Sequence, residues 1–500
     1  MLDDQEIQAW WTYRREPAFE STSTRIRVSM DDGVELDCHL IRPSLDGEVL
    51  AGPFPGLVVE LTPYALARDL WNQEATWFAV RGYVAVVGNV RGTGESGGVW
   101  QHAMASQDGR DAASLVEWLA AQPFCDGRVG QLGESYGGQT SYGSAVERAP
   151  HLRAIAPMQS PGNLYDDVVY PGGIKTTERG ALDSWPPLAQ MLSLERIDAE
   201  AEYDVNRAHP TFDGYWQDRA LRGRIHDVEV PVLAIGGWQD EFFRSGALSL
   251  IEEGLEKTWA FYGPWPHLPP QSYDDPPAEG QLPGGVLLAW FDRWLREDEA
   301  APVPERPVFC SFEGPLGSGA GWRRLDEWSP EGRDVATWRI GADEELSVEA
   351  DAATLRLRQP GEPGDEAGSC LLASAPLDAD RVLCGWPRLS FGAVLSASDA
   401  HFYVELLDVA PDGSTETVSV GYLKASHAAS HVEPVPVRVG SEETFSIKLH
   451  AAHWRFATGQ RMAVRLSGGP SELLTPVAAP VTVVLHLEDA TLSLPGFGAA

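Results

Sequence analysis

From residue 56 onward, short and almost wholly apolar runs alternate with stretches whose apolar positions recur every three or four residues. The runs at 56–60, 83–90, 129–132, 154–158, 231–236 and 258–262 read as strands buried on both faces, since a strand with one wet face would alternate apolar with polar. The intervals 69–81, 111–121, 136–148, 245–255 and 286–297 carry an apolar stripe of helical period. Strand and helix in alternation predict a mostly parallel sheet covered by helices on both faces, an α/β fold. Ahead of it, residues 24–43 alternate apolar and polar positions around Asp31, Asp32 and Gly33, which predicts a β-hairpin closed by a tight turn.

The rhythm breaks twice. Residues 160–229 are rich in Pro, Gly, Asp and aromatics, with helical pieces and no buried strand, so they are expected to form an insertion over the sheet. Residues 301–307 hold three prolines in seven positions and read as a linker. Beyond it the pattern is all-β: 337–340, 388–395, 401–409, 444–449, 461–466 and 480–487 are short strand candidates separated by turns. That texture predicts a β-sandwich or jelly roll. The expected division is a core from 1–159 and 230–300, an insertion at 160–229 and a sandwich at 308–500.

Composition narrows the partners. Against 73 Asp and Glu stand 38 Lys and Arg, a formal charge of −35, and such a surface repels phosphate. Nucleic acid and anionic membranes are therefore not expected partners. The five cysteines (Cys38, Cys125, Cys310, Cys370 and Cys384) are odd in number, far apart and without a CxxC pair, so they are read as reduced thiols. The acidic start lacks a signal-peptide pattern and no 18-residue apolar run follows, so the cytoplasm is the expected location.

With 50 glycines in 500 residues, a G-x-S-x-G match arises easily by chance, and the motif occurs twice. Context separates the two. Gly133-Glu134-Ser135-Tyr136-Gly137 follows the apolar run at 129–132 and opens a small-residue helix, the strand-to-helix turn that projects a serine hydroxyl. Gly94-Glu95-Ser96-Gly97-Gly98 opens no helix, so Ser96 is expected to be a loop serine. The overlapping glycine pattern from Gly92 to Gly97 also lacks the helix a dinucleotide site requires.

A serine hydroxyl needs a base and an orienting carboxylate, in the chain order Ser, Asp, His on this sheet type. Asp240 stands just past one buried strand and His267 in the loop after the next, both at carboxyl ends of strands. Ser135, Asp240 and His267 are thus the expected catalytic triad. The spacings His427 to His431 and His450 to His453 would suit a metal, but they lie in β-rich sequence and are expected to be exposed histidines. Asp166-Asp167, like Asp31-Asp32, is expected in a solvated turn.

Taken together, Thr62-Pro63-Tyr64, Asn89-Val90-Arg91-Gly92, Asp126-Gly127-Arg128, Gly133-x-Ser135-Tyr136-Gly137, Gly236-Gly237-Trp238-x-Asp240 and Gly263-Pro264-Trp265-x-His267 resemble the cocaine esterase and X-prolyl dipeptidyl-peptidase-like serine hydrolases. The resemblance implies an α/β-hydrolase core, a helical cap inserted after the strand that follows the nucleophile, and a C-terminal jelly-roll domain. It also implies an oxyanion hole made by the Tyr64 hydroxyl and the backbone N–H of Tyr136. One departure is Asn89, where the family pattern has Asp; a change in loop structure is expected there, with the triad intact.

The expected activity is hydrolysis of a small-molecule ester through an acyl-enzyme, with no metal or organic cofactor. An X-prolyl dipeptidyl aminopeptidase, amidase or acyltransferase would use the same triad. A non-catalytic protein whose sandwich binds a ligand is the rival of another class. Trp238, Phe242 and Phe243 flank the acid, and Tyr170, Trp185 and Trp216 lie in the insertion, so an aromatic substrate pocket is expected, with core packing an equal alternative for each ring.

Overall fold

In the computed structural model, which describes every residue except 1–3, 65–67, 178–196, 269, 275–276, 278–279, 316–320, 326–327, 329–334, 340–346, 349–353, 358–367, 470–472, 478–479 and 500, the central element is a sheet with eleven described strands. The hairpin β1 (Glu20–Ser29) and β2 (Glu35–Leu45) turns at Gly33, whose φ of 83° suits glycine. Next come β3 (Phe54–Thr62), β4 (Val84–Asn89), β5 (Cys125–Glu134), β6 (Leu152–Met158), β7 (Val232–Gly237) and β8 (Thr258–Gly263). Two more, β9 (Phe309–Phe312) and β10 (Trp322–Leu325), complete the series.

The spatial order is β1-β2-β4-β3-β5-β6-β7-β8-β9-β10, with the two-residue strand Glu48–Val49 beside β2. Pairing is parallel from β4 through to β9 and antiparallel at both margins. Just past the proline linker, β9 pairs with β8 and β10 with β9, so these two strands extend the hydrolase sheet. Four-residue strands with buried side chains give no periodicity by which sequence alone could assign them to one sheet or the other.

Helices cover both faces. They are α1 (Gln5–Trp11), α2 (Arg68–Ala79), α3 (Ser106–Ala120), α4 (Tyr136–Val146), α5 (Ala199–Ala208), α6 (Gly214–Arg219), α7 (Gly246–Glu252) and α8 (Gly284–Leu295). On β3 the side chains alternate between two cores: Val58 and Leu61 pack with α3, α4 and α7, whereas Leu57 and Val59 pack with α1, α2 and α8. Burial on both faces is why the strands read as continuous apolar runs. Residues 160–229 contain α5, α6 and a π-helical turn, Tyr165–Val169, around a small core of Tyr165, Tyr170 and Trp216.

The C-terminal strands form two five-stranded sheets and a three-stranded one among the described residues. In one sheet Arg388–Leu395 pairs with Glu442–Lys448 and Val481–Pro495; in the other His401–Val409 pairs with Thr415–Lys424 and Arg461–Ser467. Their facing side chains, among them Phe391, Phe402 and Phe445, share one apolar core.

Candidate active site

Ser135 sits between β5 and α4 at φ 56°, ψ −112°, a strained conformation for a residue with a side chain. The local sequence explains how the turn closes. A Cβ at Gly133 would stand 2.5 Å from the Gly137 carbonyl carbon, and one at Gly138 would stand 2.7 Å from the Ser160 Cβ. Only glycines let strand and helix approach this closely. The Ser135 N–H donates to the Met158 carbonyl at 2.8 Å, which ties the turn to β6.

The structure brings Asp240 and His267 to this serine. His267 Nε2 is 3.1 Å from Ser135 Oγ, and His267 Nδ1 is 3.1 Å from Asp240 Oδ2. Asp240, 1% exposed, is fixed by the N–H groups of Phe242 and Phe243, each donating to Oδ1 at 2.8 Å. The rings of Phe242 and Phe243 stand edge-on to the imidazole, both centroids 5.1 Å away. Gln159, at φ 42° after β6, donates its side-chain N–H to the Pro266 carbonyl at 2.5 Å and so holds the loop that carries His267. Burial opposes an imidazolium here, yet the hydrogen bond and charge of Asp240, helped by Glu134 and Glu241, outweigh it and raise the His267 pKa. In this arrangement the imidazole can take a proton from the serine hydroxyl and keep it long enough to deliver it.

The Tyr64 ring packs edge-on against that of Tyr136, centroids 6.2 Å apart. Burial, with the carboxyls of Glu60 and Glu134, holds the Tyr64 phenol protonated, the form that donates a hydrogen bond. Tyr136 opens α4, where a backbone N–H has no preceding helical carbonyl to bond. Its hydroxyl donates to Asp108 Oδ2 at 2.6 Å and accepts the Met104 N–H at 2.9 Å, so the ring is locked from behind.

The expected aromatic residues disperse. Phe242 and Phe243 lie on the imidazole. Trp238 packs in the core against Tyr262 and Trp328, at 4.7 and 5.9 Å between centroids. Tyr170 stacks on Tyr165 at 5.0 Å and donates its hydroxyl to the Asn206 carbonyl, and Trp216 joins the same cluster, so both rings serve the inserted segment's own core. Trp185 lies outside the described residues.

Ser96 is a brace: its hydroxyl donates to the Asn89 carbonyl at 2.8 Å and accepts the Asp37 N–H at 2.9 Å. Asn89 is buried and donates its side-chain N–H to the Thr62 carbonyl at 3.3 Å. Asp166 and Asp167 belong to the π-helical turn and are partly buried, not in a solvated turn; Asp167 Oδ2 accepts the N–H groups of Gly162 and Asn163. The C-terminal histidines are likewise less exposed than expected. His450 and His453 each pair, at 2.7 Å, with a serine of the hydrolase part, Ser245 and Ser311, and His427 is buried with its Nδ1 3.2 Å from that of His431. Docking of the sandwich on the core, invisible to local sequence, buries them.

A group of buried carboxyls escaped the sequence reading. Glu60, 0% exposed, sits at φ 63° in a bulge of β3 and accepts the Glu134 N–H at 2.5 Å. Burial pushes the Glu60 pKa well up, Glu74 to about 7 and Glu134 to about 8. An acid inside the apolar run Val58-Val59-Glu60-Leu61 was the available signal, since a strand buried on both faces has no solvent for a charge.

Comparison with known proteins agrees with this architecture. The family model for the X-Pro dipeptidyl-peptidase (S15 family) matches residues 32–269, and that for the X-Pro dipeptidyl-peptidase C-terminal non-catalytic domain matches residues 308–491. Cocaine esterase from Rhodococcus sp. (strain MB1 Bresler) is 26% identical over 535 aligned positions, covering 89% of this chain and 90% of its own. A CocE/NonD family hydrolase from Staphylococcus aureus has TM-score 0.77 at 17% identity, covering 95% of this chain and 94% of its own. An aminopeptidase from the marine sediment archaeon Thaumarchaeota archaeon has TM-score 0.77 at 19% identity, covering 97% and 98%. A hydrolase core joined to a strand-rich C-terminal domain, matched by both family models in order, places the chain in the cocaine esterase and X-prolyl dipeptidyl-peptidase-like family of serine hydrolases.

Proposed function

We propose that this enzyme cleaves carboxylic esters through an acyl-enzyme intermediate on Ser135. The observation that carries the reading is the continuous line of contacts from Asp240 through His267 to Ser135, with 3.1 Å at each step. Ser135 Oγ attacks the ester carbonyl while His267 Nε2 accepts its proton. Asp240 holds the tautomer with the proton on Nδ1 and stabilises the imidazolium. The Tyr136 N–H and the Tyr64 hydroxyl are the donors for the oxyanion, each worth about 3 kcal/mol in the transition state. His267 then protonates the leaving alcohol, and water attacks the acyl-enzyme with the same residue as base.

Peptides and amides form a second reading, favoured by the description of both matching family models as X-Pro dipeptidyl-peptidase. A fluorophosphonate probe is expected to add one adduct, located at Ser135 by peptide mass, and Ser135→Ala to abolish both the adduct and hydrolysis of nitrophenyl acetate. Retained hydrolysis in a folded Ser135→Ala protein would refute the mechanism. Nitrophenyl esters compared with proline-containing dipeptide amides separate the two substrate classes.

A further inference from the structure

Beside the triad acid, three parts of the chain enclose a cavity of about 260 Å³, larger than the ~150 Å³ that holds a benzene ring. Asp240, Glu241, Phe242 and Arg244 line it from the hydrolase part, Asp167 and Val168 from the inserted segment, and Tyr403, Tyr422 and His450 from the sandwich. Phe242, edge-on to His267, and Asp240, bonded to its Nδ1, both line the cavity and touch the imidazole.

The cavity holds a cation that makes no direct ion pair among the described residues. Arg244 donates from Nη1 to the Val418 carbonyl at 3.2 Å, and among the described residues no carboxylate lies within ion-pair distance of it. Arg91 pairs with Asp111, Arg222 with Glu253 and Arg455 with Glu313, whereas Arg244, like Arg42 and Arg81, donates to backbone carbonyl oxygen instead. The neighbouring carboxylates are engaged. Asp240 spends its oxygens on His267 and two backbone N–H groups, Asp167 Oδ2 accepts two N–H groups, and Glu241 Oε2 accepts the His267 N–H at 3.3 Å. His450, its Nδ1 paired with Ser245 Oγ, adds no charge, because burial pushes its pKa down to about 3. Desolvation of the half-buried guanidinium disfavours its charge by more than nearby Asp240 and Glu241 favour it, and a cation so placed is stabilised by an anion that reaches it.

We propose that the cavity binds a carboxylate carried by the substrate, with the Arg244 guanidinium as counter-ion and the Tyr403 and Tyr422 hydroxyls as further donors. The apolar lining of Val168, Pro171, Val420 and Leu474 takes the chain that carries it. The net charge of −35 repels such a substrate at long range, so discrimination arises only on contact, where a desolvated bidentate pair outweighs the screened field.

This inference rests on the ester-hydrolase reading for its kinetic test and has a binding test that does not. In one arm, nitrophenyl esters of succinic, glutaric and adipic acid are compared with neutral acyl chains of equal length. In the other, acetyl esters of hydroxybenzoic acids are compared with phenyl acetate. Arg244→Gln is expected to lower kcat/KM at least tenfold on the carboxylate-bearing esters of one arm and leave the neutral esters unchanged; the arm that responds tells whether acyl or leaving group carries the charge. Arg244→Lys should restore part of the loss. Independently, calorimetric titration of Ser135→Ala protein with phenylpropionate and with phenylpropionamide should show tighter binding of the acid, lost when Arg244→Gln is added. Equal changes on charged and neutral esters in both arms, or equal binding of acid and amide, would overturn the proposal. A failure of fluorophosphonate labelling would instead strike the hydrolase reading and leave the binding result to stand alone.

Discussion

Replacing Asp240 by asparagine tests the triad with almost no change of shape. Its Oδ1 receives two backbone N–H groups, from Phe242 and Phe243, at 2.8 Å each. An asparagine must therefore keep its carbonyl oxygen on that side, because the flipped amide would set an NH2 against two donors and leave buried bonds unmade, at about 1–3 kcal/mol apiece. The NH2 then faces His267 Nδ1, which has to accept. That fixes the imidazole proton on Nε2, pointing at Ser135 Oγ 3.1 Å away, where it cannot take the hydroxyl proton. Loss of the productive tautomer is expected to lower kcat by about 10⁴-fold with KM little changed, an increase of about 5 kcal/mol in the barrier. Nitrophenyl acetate kinetics on Asp240→Asn, with a thermal melt to show that the fold persists, provide the measurement. A kcat within tenfold of the parent would refute the reasoning and point to Glu241 as the residue that orients the histidine.

Because Asp240 outweighs burial at His267, the acid limb of the kcat/KM profile should lie above the ordinary histidine value, with activity falling as pH drops through it. Because burial pushes the Glu134 pKa up to about 8, this carboxyl is largely protonated across that limb, so Glu134→Gln should leave the limb nearly in place; a clear fall to lower pH would show Glu134 ionised beside the imidazole. Burial raises the folded pKa of Glu74 to about 7 and of Glu134 to about 8, so the folded state binds more protons than the unfolded chain from the ordinary carboxylate range up to those values. Stability should thus decline as pH rises from 5 to 8, and Glu74→Gln should flatten the slope of urea midpoint against pH. Gly133→Ala drives a methyl to 2.5 Å from the Gly137 carbonyl carbon and is expected to cost at least about 2 kcal/mol and most of the activity, read by denaturant melts and esterase rates. Asp292 is buried and accepts from Arg15, Tyr13 and Tyr83, joining the N-terminal segment and β4 to α8; Asp292→Ala should cost about 3 kcal/mol in urea unfolding while kcat stays unchanged.

Local pattern carried the sequence reading far in the first 300 residues. A strand covered on both faces must be apolar throughout, and a turn from strand to helix that presents a serine must be built of small residues. Runs such as 231–236 and the pentapeptide around Ser135 therefore announce themselves without knowledge of their neighbours. The order Ser135, Asp240, His267 followed from the same logic, because loops at the carboxyl ends of parallel strands converge on one edge.

Contacts between elements far apart in the chain were decided only by tertiary structure. Whether Phe309–Phe312 joins the hydrolase sheet or the sandwich depends on which edge is open to pair, and β8 supplied it. Trp238 and Phe242 are four positions apart and look alike as candidates, yet packing sends one into the core beside Tyr262 and the other against the imidazole. Glu60 gains its place beneath the elbow from a bulge, and Arg244 lies in a cavity because the sandwich closes over it. Hydrophobic periodicity is a property of neighbours along the chain; burial of a charge is a property of whatever packs against it, and only the folded chain determines that.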